Sequence, residues 1–257
     1  MNRNRADSRG ATATGAGARG PGSSLREALD ALGDGCSLLV TGDVPTDAHR
    51  VAAARYFGDP AEPRRRVLGL THDTPRPAAW LPGAVTAESD HTEVVRMDDA
   101  LRDPSAVSGS PTSDGGFTPA DGGGFPNRFL DAIERVADAD VEEGDGDGDC
   151  PADMRLRVGL FRVDGLRAAI GEAEAGRLLH EAAATTRARG GMAHFHLPRR
   201  STADDDPRAD PLVDDVATQL GEALDVVVEL RLRDRAVVPE ERWHIEGWGS
   251  TDWHPLG

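Results

Sequence analysis

The chain has 257 residues, of which 45 are acidic and 29 basic, giving a formal charge of −16. Every basic residue is arginine, so a working P-loop ATPase of the ordinary kind and Schiff-base lysine chemistry are both excluded. The acid excess argues against nucleic acid as the main partner, because phosphate binding wants a basic face.

Residues 1–24 are Gly, Ala, Thr and Arg with no apolar h-region, so they predict a disordered tail and not a secretory signal. Residues 25–250 then read as a single α/β domain. Cys36–Thr41 (CSLLVT) is a short apolar run ending at Gly42, a buried strand with Cys36 as a small apolar residue. A helix follows near Thr46–Phe57, with Ala48, Val51 and Ala52 on one face. Arg64, Arg65 and Arg66 are expected as solvated residues ahead of a second strand, Arg66–Leu70, and Glu93–Met97 is a third.

Residues 103–124 are rich in Gly, Ser and Pro and predict an unstructured loop, since they cannot bury enough apolar surface to repay ordering. Asn127–Ala139 is a helix with Phe129, Leu130, Ile133, Val136 and Ala137 as its apolar stripe. A second unstructured loop is expected over residues 142–150. There Asp145, Asp147 and Asp149 mimic the opening of a calcium loop, but its sixth and twelfth places hold Cys150 and Leu156, so the run reads as an acidic linker.

Arg155–Val163 is the next strand, ending at Asp164. The helix after it carries Ala175, Leu178, Leu179 and Ala182 and stops at Gly190–Gly191. Met192–Leu197 is a strand ending at Pro198. Asp210–Pro211 predicts a cap followed by a first-turn proline, opening a helix that buries Val213, Val216, Ala217 and Leu220. Asp225–Leu232 is a strand, Arg242–Trp248 a final strand antiparallel to it, and residues 251–257 a tail.

Short apolar strands alternating with amphipathic helices imply a three-layer α/β fold. Its sheet is mainly parallel and flanked by helices, with an antiparallel C-terminal edge strand. Ligands in such sheets bind outside the carboxyl ends of the strands. Functional residues are therefore expected from Gly42 onward, at His72–Asp73, at Asp164 and at the end of Met192–Leu197.

The span Gly42–His49 stands where a phosphate-binding loop would, between strand and helix. Gly42 fits the pattern's first position, while Asp47, Ala48 and His49 occupy the places of Gly, Lys and Ser/Thr. The missing lysine removes the charge that holds terminal phosphates, and the missing hydroxyl removes a magnesium ligand. Asp43 and Asp47 place carboxylates where an anion would lie. The simpler reading of this segment is that Asp43 or Thr46 caps the helix. The strand ending at Asp164 resembles a Walker B strand, whose final Asp organises magnesium.

By this order of elements, ending in DVVVELRLRDR and RWHIEGW, residues 25–250 resemble the RecA/KaiC-type ATPase core. More closely, they resemble a haloarchaeal group of such proteins that has lost the phosphate-loop signature. Members of the wider superfamily act as nucleotide-driven regulators, recombinases and clock components. The resemblance implies Gly42, Thr46 and Asp164 as a vestigial nucleotide site, and a pseudo-ATPase.

His194 and His196, two apart on a strand, share one face. With His72, Asp73 and Asp164 at other strand ends they raise the alternative of a metal site; otherwise they are ordinary polar residues near a strand end. Trp243 and Trp248 are expected to pack on the sheet edge, leaving Trp253 in the tail as a candidate partner contact. Ser/His/Asp hydrolysis is set aside because no Gly-x-Ser-x-Gly elbow is present.

The expected function is a non-catalytic intracellular regulatory or signalling adaptor, with a protein partner left open and no cofactor. The alternatives are a metal-dependent enzyme and an atypical nucleotide binder. No apolar stretch is long enough to span a membrane, and a cytoplasmic location follows. Molar salt screens charge repulsion over about 3 Å, so the acidic, lysine-free composition fits a high-salt cytoplasm.

Overall fold

Strand β1, Cys36–Gly42, is buried at all seven positions. It lies in the middle of the sheet because it pairs in parallel with β5 (Met192–Pro198) on one side and β6 (Val226–Arg231) on the other. Strands β2 (Arg65–Leu70), β3 (Thr92–Arg96) and β4 (Leu156–Phe161) complete the parallel part. The antiparallel end holds β7 (Glu240–Ile245), β8 (Gly249–Ser250) and β9 (His254–Pro255). The order is β3-β2-β4-β5-β1-β6-β7-β8, with β9 also on β7. This computed structural model describes residues 32, 35–71, 76–97, 124–139, 155–199, 206–233, 237–245 and 248–256. The predicted tail 1–24, most of the two predicted loops, His72, Asp73 and Cys150 lie outside that set.

Right-handed crossovers decide which face each helix covers. The chain moves one way along the sheet from β1 to β2 and from β2 to β3. Those connections, helix α1 (Thr46–Tyr56) and the Pro77–Val85 segment, therefore share one face. The chain moves the other way from β3 to β4, β5 and β6. The opposite face accordingly receives α2 (Phe125–Asp138), α3 (Val163–Ile170), α4 (Glu172–Ala188) and α5 (Pro211–Leu220). The larger core lies there, with Phe129, Ile133, Leu160, Leu179, Phe195 and Val216 among its members.

Local chemistry explains several boundaries. Asp210 accepts from the Leu212 and Val213 backbone N–H groups at 2.8 and 3.2 Å, with Pro211 in the first turn, as the sequence predicts. The single helix expected after β4 is two helices, because Gly171 at φ 87° ends α3 and starts α4. The arginines ahead of β2 are not all solvated. Arg65 and Arg66 belong to the strand, and the buried Arg66 guanidinium donates to the Phe57 and Asp59 carbonyls, tying down the turn after α1.

Residues 251–256 are not a tail. β9 pairs with β7, Leu256 is buried, and the guanidinium groups of Arg231 and Arg242 lie 3.8 and 4.7 Å from the Trp253 ring centre. Trp243 packs inside the sheet edge as expected, while Trp248 is half exposed. No described helix is long and apolar enough to cross a membrane.

Candidate functional site

Only Asp43, Val44 and Pro45 separate β1 from α1, so half of the Gly42–His49 span is already helix. Neither Asp43 nor Thr46 caps it. Pro45 is the capping residue, with no side-chain hydrogen bond, and Thr46 is the first helical residue and exposed. Gly42 has φ 141°, and a Cβ there would sit 2.2 Å from the Leu230 carbonyl oxygen of β6. Close packing of β1 against β6 therefore accounts for this glycine. The Gly42 carbonyl accepts from the Arg199 N–H at 3.3 Å, tying the ends of β1 and β5 together.

Asp164 does not end the strand. β4 stops at Phe161, Arg162 adopts a left-handed conformation (φ 69°), and Asp164 falls in the first turn of α3. Arg162 turns back and donates to both carboxylate oxygens of Asp164, at 3.1 and 2.5 Å. Burial pushes the Asp164 pKa up, but the hydrogen bonds and charge of Arg162 outweigh it and hold the carboxyl below its ordinary range.

His49, at the place of the phosphate-loop hydroxyl, points inward and is fully buried. Its Nδ1 lies 3.2 Å from Nδ1 of His196, whose Nε2 lies 3.0 Å from Nδ1 of His194. His194 and His196 are thus not polar residues at a strand end. Both are buried at the centre of the sheet, because the β5 face that carries them is roofed by α1 and Trp80. Tyr56, Phe57 and Phe161 pack around the rings.

The three imidazoles form a chain and not a cage. His196 uses opposite ring nitrogens for its two neighbours, so the nitrogens do not converge on a point where an ion would sit. Among the described residues no group of three or more His, Cys, Asp or Glu side chains is placed to hold a metal ion. A neutral His196 has one N–H, so it donates in one contact and accepts in the other. The protons of the chain therefore all run one way or all the other.

Burial lowers the His49 pKa to about 4, against opposition from the Gly42 backbone and the Asp164 charge. Burial and the Arg157 charge lower that of His194 to about 3. Burial, His194 and His49 push His196 well below the ordinary value. All three are neutral at pH 7.

The His194 ring lies across Gly159 of β4, where a Cβ would meet its Cε1 at 2.5 Å and the Phe57 ring at 2.6 Å. Gly159→Ala is accordingly expected to cost about 2 kcal/mol. Adding His194→Ala should return part of that loss in chemical unfolding; full additivity of the two changes would refute the contact.

The polar assembly extends beyond the histidines. The Tyr56 hydroxyl donates to Glu241 Oε2 at 2.5 Å, and Arg55 reaches the other oxygen at 3.2 Å. Burial and the adjoining carboxylate raise the Tyr56 pKa well above its ordinary value. In the sequence His49 stands out only as a phosphate-loop position, and Tyr56 and Glu241 do not stand out at all. Periodicity held a signal for the first two, since His49, Ala52, Ala53 and Tyr56 recur at helical spacing and are all buried, whereas Val51, expected inside, is exposed.

These elements define a three-layer α/β protein with a mainly parallel sheet and an antiparallel C-terminal edge. The chain belongs to a family of unknown function, DUF7504, which it matches over residues 35–230. No curated protein matches it. Among solved structures, it is similar to a KaiC-like protein from the hyperthermophilic archaeon Pyrococcus horikoshii OT3. That similarity has 11% identity and a TM-score of 0.47, over 86% of this chain and 84% of that one.

Proposed function

We propose that this is a RecA/KaiC-type domain with a degenerate phosphate loop, acting inside a high-salt cytoplasm as a regulatory or signalling adaptor that does not hydrolyse nucleotides. The observation that carries the reading is His49. The position that would offer magnesium a hydroxyl is instead a buried imidazole bonded into the core. The short β1–α1 connection supports it, because three residues leave little backbone to wrap a phosphate. Asp164 supports it too, since both its oxygens are occupied by Arg162.

An adaptor needs a surface for its partner. Leu232, just after β6, and Val237 and Val238, just before β7, are exposed, Val237 to 94%. These exposed apolar side chains are the ones we assign to partner contact. In molar salt with magnesium, the purified protein is expected to turn over neither ATP nor GTP above background. Steady turnover abolished by Asp164→Ala would sink the proposal.

A further inference from the structure

A groove of about 500 Å³ lies between the first residues of β6, the β7–β8 hairpin and the Asp206–Arg208 turn. Pro207, Leu224, Val226 and Ile245 give it apolar walls, and Ser250 and His244 lie on its lining. These two residues face each other across the antiparallel β7–β8 pair. The Ser250 Oγ is 2.9 Å from His244 Nδ1, and His244 Nε2 is 3.3 Å from Glu229 Oε2. Glu229 is buried on β6, and Arg242 donates to the same oxygen through Nη2 at 2.7 Å and Nε at 3.2 Å.

Hydrogen-bond chemistry assigns the roles. A carboxylate only accepts, so Nε2 of the neutral His244 ring carries the proton facing Glu229. Nδ1 is then bare and accepts from the Ser250 hydroxyl. This is the division of labour of a Ser-His-carboxylate triad: a buried acid fixes the tautomer, and the imidazole is a base for an exposed serine. The missing Gly-x-Ser-x-Gly sequence excludes a strand-to-helix elbow. Here strand pairing presents the serine instead, just after Gly249 at φ 95°. A buried carboxylate at the far ring nitrogen of His244, and a groove with apolar walls beside the pair, set this contact apart from an ordinary cross-strand hydrogen bond.

We propose that Ser250, His244 and Glu229 form a nucleophilic site for acyl transfer, with esters or thioesters of short acyl chains as the substrate class. Ser250 Oγ attacks the carbonyl carbon while its proton passes to His244 Nδ1. The tetrahedral intermediate collapses by breaking the bond to the leaving oxygen or sulfur, which takes that proton. Water repeats the sequence on the acyl-serine, releasing the acid and restoring both residues. Arg208 lines the groove and is a cation available to the developing oxyanion.

The test uses a fluorophosphonate probe on the full chain in molar salt. Ser250 Oγ displaces fluoride from phosphorus, and mass spectrometry reads the adduct. Native protein is expected to be modified at Ser250 and heat-unfolded protein not, with p-nitrophenyl butyrate hydrolysed in parallel. His244→Gln is expected to slow labelling roughly 100-fold, and Ser250→Ala, on an exposed strand, to abolish it with circular dichroism unchanged. Glu229→Gln removes a buried ion pair and can unfold the protein, so the test rests on the first two variants. No adduct at Ser250, or equal labelling in His244→Gln, overturns the proposal. Nucleotide turnover is read separately, so either proposal can fail alone.

Discussion

Gly42→Ala is expected to lower stability by about 3 kcal/mol, and to lower Tm by about 10 °C for a domain of this size. Two costs combine. At φ 141° an L side chain is strained whatever the space around it. The added Cβ would also stand 2.2 Å from the Leu230 oxygen, 2.9 Å from its carbonyl carbon and 3.0 Å from its nitrogen. All three are backbone atoms of a strand in register with β1, so relief requires moving β6 and not merely turning a side chain. Gly124→Ala is the matched control, since its φ is −56° and its Cβ would meet nothing closer than 3.6 Å. Denaturant unfolding of both variants checks this. Equal midpoints would show that β1 and β6 are not packed this closely. A Gly42→Ala protein of full stability that binds nucleotide differently would return this glycine to the phosphate-loop role.

The second large effect is acid lability. The folded-state pKa values of His49 and His194 are about 4 and about 3, against an ordinary value of 6.5, and that of His196 is displaced in the same direction. The unfolded chain therefore takes up protons below pH 6.5 that the folded chain refuses. Stability is fully present above that pH and falls as pH drops, by roughly 1.4 kcal/mol per unit for each histidine. The loss from His49 levels off near pH 4, and that from His194 near pH 3. The charged groups acting on the chain are Asp164 near His49 and Arg157 near His194, and Tyr56 packs against the rings.

Chemical unfolding at pH 7, 6 and 5 in constant salt should show this slope. His194→Gln, which removes one titrating ring, should flatten it by about a third relative to wild type. Imidazole nitrogen shifts should also report neutral rings at pH 5. An identical slope in the variant, or rings that protonate near pH 6.5, would place the histidines in water.

Much of the architecture was legible in residue order because its signals are local. A run such as CSLLVT, apolar at nearly every position, marks a strand buried on both faces, and β1 is that strand. Phe129, Ile133, Val136 and Ala137 mark one face of α2, and they are all buried. Asp210–Pro211 carries its own cap, bonded to N–H groups two and three residues away. Alternating strands and helices, with the rule of crossover handedness, then leave few arrangements.

Tertiary structure alone decided which polar residues meet. His49 and His196 stand 147 positions apart in the chain, and Tyr56 and Glu241 185 apart. A polar side chain gives no local sign of burial, because what offsets its desolvation is a partner supplied by another element. Hence His194 and His196 read as strand-end residues while the fold placed them under α1, and residues 251–256 read as a tail while β9 closed the edge of β7. The arginine that holds Asp164, the backbone that requires Gly42 to be glycine and the carboxylate in line with Ser250 and His244 follow the same logic. Each depends on which strands lie side by side, and that is set by the packing of the whole sheet, not by neighbours in the chain.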